Sequence, residues 1–170
     1  MSEAAAEGEV AAQIIGLLAA RGQTAAVAES LTGGLLAAAL TSVPGASAVF
    51  RGGVIAYATD LKATILGVPP DLLERRGAVD PEVAAAMATG VRSRMAATIG
   101  AATTGVAGPD PSDGKPVGTV YIAVSIGPDA PAASTAVRSL ALRGTRDEIR
   151  RETVARCLRL LLARIREENA

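Results

Sequence analysis

The sequence predicts an α/β protein, a three-layer α/β/α sandwich on a mixed β-sheet. Three observations predict it. Apolar residues at helical spacing alternate with short β-like runs through most of the chain. The two last β-like runs, 118–126 and 133–142, are joined only by a short turn at Gly127-Pro128, so they pair antiparallel as a hairpin. A length of 170 residues with 49% hydrophobic and 20% charged residues fits one ordinary globular domain over 1–170.

Taken in order, Val10, Ile14, Leu17 and Leu18 give a first helix ending near Gly22. Residues 24–29 read as a strand and 31–41 as a helix, followed by a turn at Ser42-Val43-Pro44-Gly45. A second strand at 52–58 leads into a short helix over 61–66, with Thr59-Asp60 as its cap. Pro69-Pro70 ends that helix, and a short helical turn follows. Asp80-Pro81 opens the next helix, a capping side chain followed by proline at the first helical position. That helix runs to about Thr98, before a strand at 99–104 and a loop over 105–116. Thr145 and Glu148 have capping-box spacing and start a last helix to about Glu167. The outermost residues at both ends read as frayed.

Composition narrows the function. With one Phe, two Tyr and no Trp, the chain lacks rings on which to stack single-stranded nucleic acid. A formal net charge of zero argues against a polyanion-binding surface. The local cluster Arg143, Arg146, Arg150 and Arg151 reads as a solvated helix face. The single cysteine, Cys157, excludes an intramolecular disulfide and reads as a core thiol among Val154, Leu158, Leu161 and Leu162. There is no histidine, so neither a zinc site nor a Ser-His-Asp triad is expected. No signal peptide and no bilayer-length apolar run are found, which places the protein in the cytoplasm, away from membranes.

The most informative segment is Ala28-Glu29-Ser30-Leu31-Thr32-Gly33-Gly34, where a strand gives way to a helix. Ser30 reads either as a helix cap or as an exposed nucleophile, and Thr32 as a cap. Glycine pairs are disfavoured near a helix start, so Gly33-Gly34 suggests close approach of a ligand to the backbone. In an open α/β sheet, sites form at the carboxyl ends of strands. Glu29-Ser30, the stretch Tyr57 to Lys62, and Thr103-Thr104-Gly105 all arrive there. Without an imidazole, a serine nucleophile needs another base, and Lys62 is the candidate. It can serve only if its ammonium is destabilised, by burial, by the positive end of the helix beginning near Leu61, or by Arg51. Lys62 as an ordinary surface lysine, and Tyr57 as a strand-end tyrosine with its hydroxyl in water, are the structural alternatives. The 108–116 loop mimics a phosphate-binding P-loop but is one residue too long and has Pro116 where Ser or Thr is required.

Five segments occur in order: A-E-S-L-T-G-G (28–34), V-P-G-A-S-A-V-F-R-G-G-V-I-A-Y (43–57), K-A-T-I-L-G-V (62–68), T-T-G-V-A-G-P-D (103–110) and G-K-P-V-G-T-V-Y-I-A (114–123). Together they resemble the nicotinamide-nucleotide amidohydrolase family, equivalent to the C-terminal domain of competence-damage-inducible protein CinA. The resemblance spans nearly the whole chain and is closer to the stand-alone form than to the larger CinA proteins. It implies hydrolysis of the nicotinamide mononucleotide carboxamide to nicotinate mononucleotide and ammonia, without metal or other cofactor. It assigns Ser30 as nucleophile, Lys62 as base and Tyr57 as its assistant. Substrate contacts are then expected from Glu29, Thr32, Gly33, Gly34, Arg51, Thr104, Gly105 and Arg143. Of these, the Thr32-Gly33-Gly34 amides would stabilise an oxyanion or hold phosphate, Arg143 would pair with the phosphate, and Glu29 would orient Lys62 or a ribose hydroxyl. The competing reading is a non-catalytic nucleotide-binding module. Expected partners are a small-molecule nucleotide and a second copy of the chain, a dimer being the default homo-oligomer.

Overall fold

The computed structural model describes residues 3–127 and 134–167. Helix α1 (Glu3–Arg21) precedes the five-residue strand β1 (Ala25–Glu29), and helix α2 (Leu35–Thr41) leads through a single 3-10 turn at Ala46–Ala48 into β2 (Phe50–Ile55). Three helices follow: α3 (Thr59–Thr64), α4 (Pro70–Arg76) and α5 (Pro81–Arg94). Strands β3 (Ile99–Gly105), β4 (Thr119–Ile126) and β5 (Thr135–Ala141) complete the sheet, and α6 (Arg146–Glu167) closes the chain. Pro128, residue 133 and the extreme termini of the sequence-based assignment lie outside the described residues.

The sheet order is β2-β1-β3-β4-β5, with β1 parallel to both β2 and β3 and the β3-β4-β5 pairings antiparallel. This is the predicted mixed sheet. One core packs α1, α2 and α6 on one face, around Ile14, Leu36, Leu158 and Leu161. The other packs α3, α4 and α5 on the opposite face, around Leu66, Leu72, Val83 and Met87. Every residue of β1 is buried, as a central strand covered on both faces must be. The connection leaving β1 runs through α2 to β2 on one side, and the chain returns to β3 on β1's other side. The strand order therefore reverses at the carboxyl end of β1, where Ser30 follows Glu29, and a crevice opens at such a point.

Several boundaries differ from the sequence reading for identifiable reasons. Residues 31–34 are a turn rather than helix, and α2 starts at Leu35 after Gly33 and Gly34 at φ +57° and +101°. Those left-handed angles are what the glycine pair provides. Helix α3 begins at Thr59 after Ala58, so Thr59 and Asp60 are in its first turn rather than capping it. Two other caps are as read. The Asp80 side chain accepts from the Glu82 N–H at 2.8 Å. In the capping box the Thr145 N–H donates to the Glu148 carboxylate at 2.6 Å and the Glu148 N–H to the Thr145 hydroxyl at 3.3 Å. The Thr145 N–H also holds the Glu148 carboxyl below the usual carboxylate range.

Helix α5 lies directly on β3, and Gly100 makes that approach possible. A Cβ there would stand 2.1 Å from the Ala88 carbonyl oxygen and 2.8 Å from the Arg92 Cβ. Backbone cannot give way as a side-chain tip can. Gly100→Ala is therefore expected to cost at least about 2 kcal/mol and to lower Tm by at least about 5 °C in a thermal melt.

Candidate active site

The crevice at the carboxyl ends of β1 and β3 has a volume of about 200 Å³. Ser30 and Leu31 enter from the end of β1, and Tyr57 and Lys62 from the segment after β2. Thr104, Gly105, Asp110 and Asp113 form the wall after β3, and Arg146 comes from the first turn of α6. Four segments that are remote in sequence thus meet at the topological switch point.

Lys62 lies in α3 and points inward, with only 1% of its surface exposed. Its Nζ donates to the Ala56 carbonyl at 2.8 Å and approaches the Tyr57 carbonyl at 3.4 Å. The Ser30 Oγ is 3.2 Å away. Burial holds the amine below its ordinary value of 10.5, and the Asp113 carboxylate opposes that shift. Three oxygens surround the nitrogen; in a neutral amine the two carbonyls take both N–H groups and leave the lone pair for the serine hydroxyl. The source of the shift is corrected. The positive end of α3 is not responsible, because Lys62 is in the last turn of that helix. Nor is Arg51, the second residue of β2, which lies at the opposite end of the sheet and donates from Nε to the Met95 carbonyl.

Ser30 does not cap α2. The N-cap is Gly34, and the capping is done by Glu29, whose buried carboxylate accepts from the N–H groups of Gly34 (3.0 Å), Leu36 (3.1 Å) and Ala37 (2.8 Å). A carboxylate at a helix N-terminus satisfies donors that otherwise have no partner and matches the helix dipole. Glu29 is thus turned away from Lys62 and any ribose, which corrects the expectation for it. Thr32 is likewise committed, its hydroxyl bonded to that of Thr103 at 2.8 Å, fully buried. The Gly33 N–H donates to the Ser30 carbonyl at 3.1 Å, and Gly34 gives its N–H to Glu29. The glycine amides are spent inside the turn and cannot form the expected anion cradle. Among the described residues the N–H groups of Leu31 and Thr32 make no hydrogen bond, and Leu31 lines the crevice.

Tyr57 is 59% exposed, and its hydroxyl accepts from Arg146 Nη2 at 2.9 Å rather than meeting Lys62. Its carbonyl, not its phenol, touches the amine. Thr104 donates to the Ala78 carbonyl at 2.7 Å, and Asp113 accepts the Ala78 N–H at 2.7 Å, so the two fix the far wall. Gly105 ends β3 where a Cβ would meet the Thr119 carbonyl at 2.7 Å. Arg143 is exposed and outside the crevice, and the position expected for it is held by Arg146, which also donates to the Gly108 carbonyl at 2.6 Å.

Two contributors were hidden in the arginine cluster. Arg146 and Arg150 are four residues apart and share a helix face, whereas Arg151 turns to solvent and pairs with Asp147. Arg150 donates to the carbonyls of Leu31 and Thr32, each at 3.0 Å. In a trans peptide the N–H points away from its carbonyl, so this grip turns the Thr32 N–H away from α6. Helical spacing was the available signal for both residues. Cys157 is a buried core thiol, and burial pushes it up to about 12, with the charge of Glu29 adding to the effect. Among the described residues no group of three His, Cys, Asp or Glu side chains is placed to hold a metal ion, and no helix is long and apolar enough to cross a membrane.

A mixed-sheet α/β fold with a serine and a buried lysine at its switch point defines a class of Ser/Lys site. The comparisons with known proteins give the family. The chain belongs to the CinA C-terminal domain family, whose match covers residues 7–165. It is 56% identical over 148 residues to a CinA-like protein of Frankia casuarinae, covering 87% of this chain and 33% of that protein. It is 44% identical over 157 residues to a putative competence-damage inducible protein of Halalkalibacterium halodurans, covering 92% and 36%. The chain therefore spans about a third of the length of the curated relatives it matches. Among solved structures, the competence/damage inducible protein CihA of Agrobacterium tumefaciens aligns with a TM-score of 0.87 at 37% identity over 94% of this chain and 95% of that one. A CinA superfamily protein of Escherichia coli aligns with a TM-score of 0.86 at 29% identity over 96% and 92%.

Two expectations follow. Glu29→Ala leaves three N–H groups of α2 unpaired and should cost about 3 kcal/mol, read as a Tm loss of roughly 10 °C. Lys62 binds its proton less tightly in the folded protein than in the unfolded chain, so stability rises as pH climbs from the folded value towards 10.5. The unfolding free energy of wild type should therefore gain on that of Lys62→Met over that alkaline window. Denaturant melts of both proteins across the window check it, and a gap constant with pH would contradict it.

Proposed function

We propose that the protein is a Ser/Lys amidohydrolase acting on the carboxamide of nicotinamide mononucleotide. The observation that carries this reading is the buried Lys62 amine 3.2 Å from the Ser30 hydroxyl. The ordered motifs of the chain support the choice of substrate. The site needs no histidine, because a desolvated amine can take a hydroxyl proton near neutral pH.

Neutral Lys62 accepts the Ser30 proton as Oγ bonds to the carboxamide carbon. The carbonyl π electrons move to oxygen, and the Leu31 N–H is the donor placed next to the nucleophile to meet that oxyanion. Collapse of the tetrahedral adduct breaks the C–N bond, and the lysine ammonium protonates the departing nitrogen, releasing ammonia. Water then adds to the nicotinoyl ester, giving its proton to Lys62, and Ser30 leaves with a proton returned from the amine. Of the cations lining the crevice, Lys62 is committed to this chemistry, so Arg146 is the partner for the substrate phosphate, with Tyr57 holding its guanidinium. Thr104 and Gly105 shape the wall the substrate slides along.

The test is ammonia release from nicotinamide mononucleotide by the purified chain. Turnover is expected in wild type and should fall by at least about a thousandfold in Ser30→Ala and Lys62→Ala. The wild-type rate should rise with pH as Lys62 loses its proton, from a value below the ordinary lysine range. Binding without turnover in wild type would instead identify a nucleotide-binding module, and full turnover in Ser30→Ala would remove Ser30 as the nucleophile.

A further inference from the structure

The described residues include ten buried polar or charged side chains, and nine of them have a hydrogen-bond partner. Arg92 is the exception. It is 3% exposed, and its guanidinium makes no hydrogen bond or ion pair among the described residues, with Nε fully buried and unsatisfied. Arginine cannot escape by losing its proton, so a buried guanidinium is normally held by a carboxylate, a phosphate or several carbonyls. Here the stem is pinned against β3, where Gly100 leaves room for it.

Arg92 lines a cavity of about 380 Å³ at the far pole of the sheet, beside the start of β3. Ser93, Ala96, Ala97 and Thr98 complete its lining, and no acidic side chain is among them. The small alanines leave the space open. The catalytic crevice is at the other end of β3, a strand of seven residues, so the two are separated by roughly 20 Å.

We propose that this cavity is an oxyanion site, in which Arg92 binds the doubly bonded and charged oxygens of a phosphate or carboxylate ligand through paired N–H groups. Planar bidentate pairing is the chemistry for which a guanidinium is suited. The Ser93 hydroxyl at the rim is a second donor. The site is independent of the amidohydrolase reading, because no residue of the crevice takes part in it.

Position 96 offers a sharp control. Ala96 has φ +48°, a backbone state that Asp and Asn tolerate better than Ala. It lines the same cavity as Arg92, so Ala96→Asp supplies a resident counter-charge, and Ala96→Asn has the same shape without the charge. Thermal melts and calorimetric titrations are run with inorganic phosphate, acetate and chloride at equal ionic strength. Wild type and Ala96→Asn should show saturable binding of phosphate or acetate and a Tm rise of at least about 2 °C over chloride. The more effective of the two names the ligand class. Arg92→Met and Ala96→Asp should lose the response, Ala96→Asp with a raised Tm in chloride. Equal effects of all three salts on wild type, or an undiminished response in Ala96→Asp, would overturn the proposal. If Arg92→Met does not fold, the two position-96 variants decide alone.

Discussion

Burying an amine beside a hydroxyl is the constraint around which this end of the molecule is arranged. An ammonium removed from water is unfavourable unless it is paired, and Lys62 has no carboxylate in hydrogen-bond contact. Two backbone carbonyls accept its protons instead. Carbonyls satisfy N–H groups without bringing a full negative charge, so they favour the cation less than a carboxylate would and leave burial to set the direction. Asp113 is close enough to pull the other way but is tied to the Ala78 N–H. The site thereby holds a lysine that desolvation depresses and that charge only partly restores.

The placement of Ser30 depends on neighbours that lie outside its contact with Lys62. Glu29 precedes Ser30 and faces the other side of the strand, where it gathers three N–H groups at the start of α2. The tight turn needs Gly33 and Gly34 in left-handed conformations, and Arg150 fastens the carbonyls of Leu31 and Thr32 from α6. A helix that begins with a carboxylate cap and a turn clasped by an arginine leave Ser30 little freedom. Such support matters because a hydroxyl displaced by an ångström loses much of its reactivity.

How much of this was legible in the sequence follows from which interactions are local. The alternation of elements, the Asp80-Pro81 start and the Thr145–Glu148 box depend on neighbours in sequence, and the sheet follows from them. The pairing of Ser30 with Lys62 depends on the rule that sites gather at strand carboxyl ends, together with the missing imidazole. For Glu29, an acid next to a candidate nucleophile suggests chemistry, whereas alternation along β1 sends it to the opposite face from Ser30. Arg51 sits at the amino end of its strand whether that strand starts at 50 or at 52, so the rule of strand carboxyl ends itself argues against it. Arg143 and Arg146 differ only by where the last helix begins, and the side chain that reaches the crevice is the one in the helix's first turn. The glycine pair suggests a ligand cradle in the sequence because close approach and positive φ leave the same trace there, and the structure shows positive φ.

The two buried cations among the described residues, Lys62 and Arg92, put the same physical question at opposite ends of one sheet. Burial loosens the proton of Lys62, so depriving it of a counter-charge favours the neutral amine. Arg92 presents a guanidinium with an unsatisfied Nε, so the same deprivation leaves an unmet demand for negative charge. Titratability decides which outcome a buried, unpaired cation yields. That difference makes Lys62 suited to moving a proton and Arg92 suited only to holding a ligand, and neither role could be exchanged by swapping the residues.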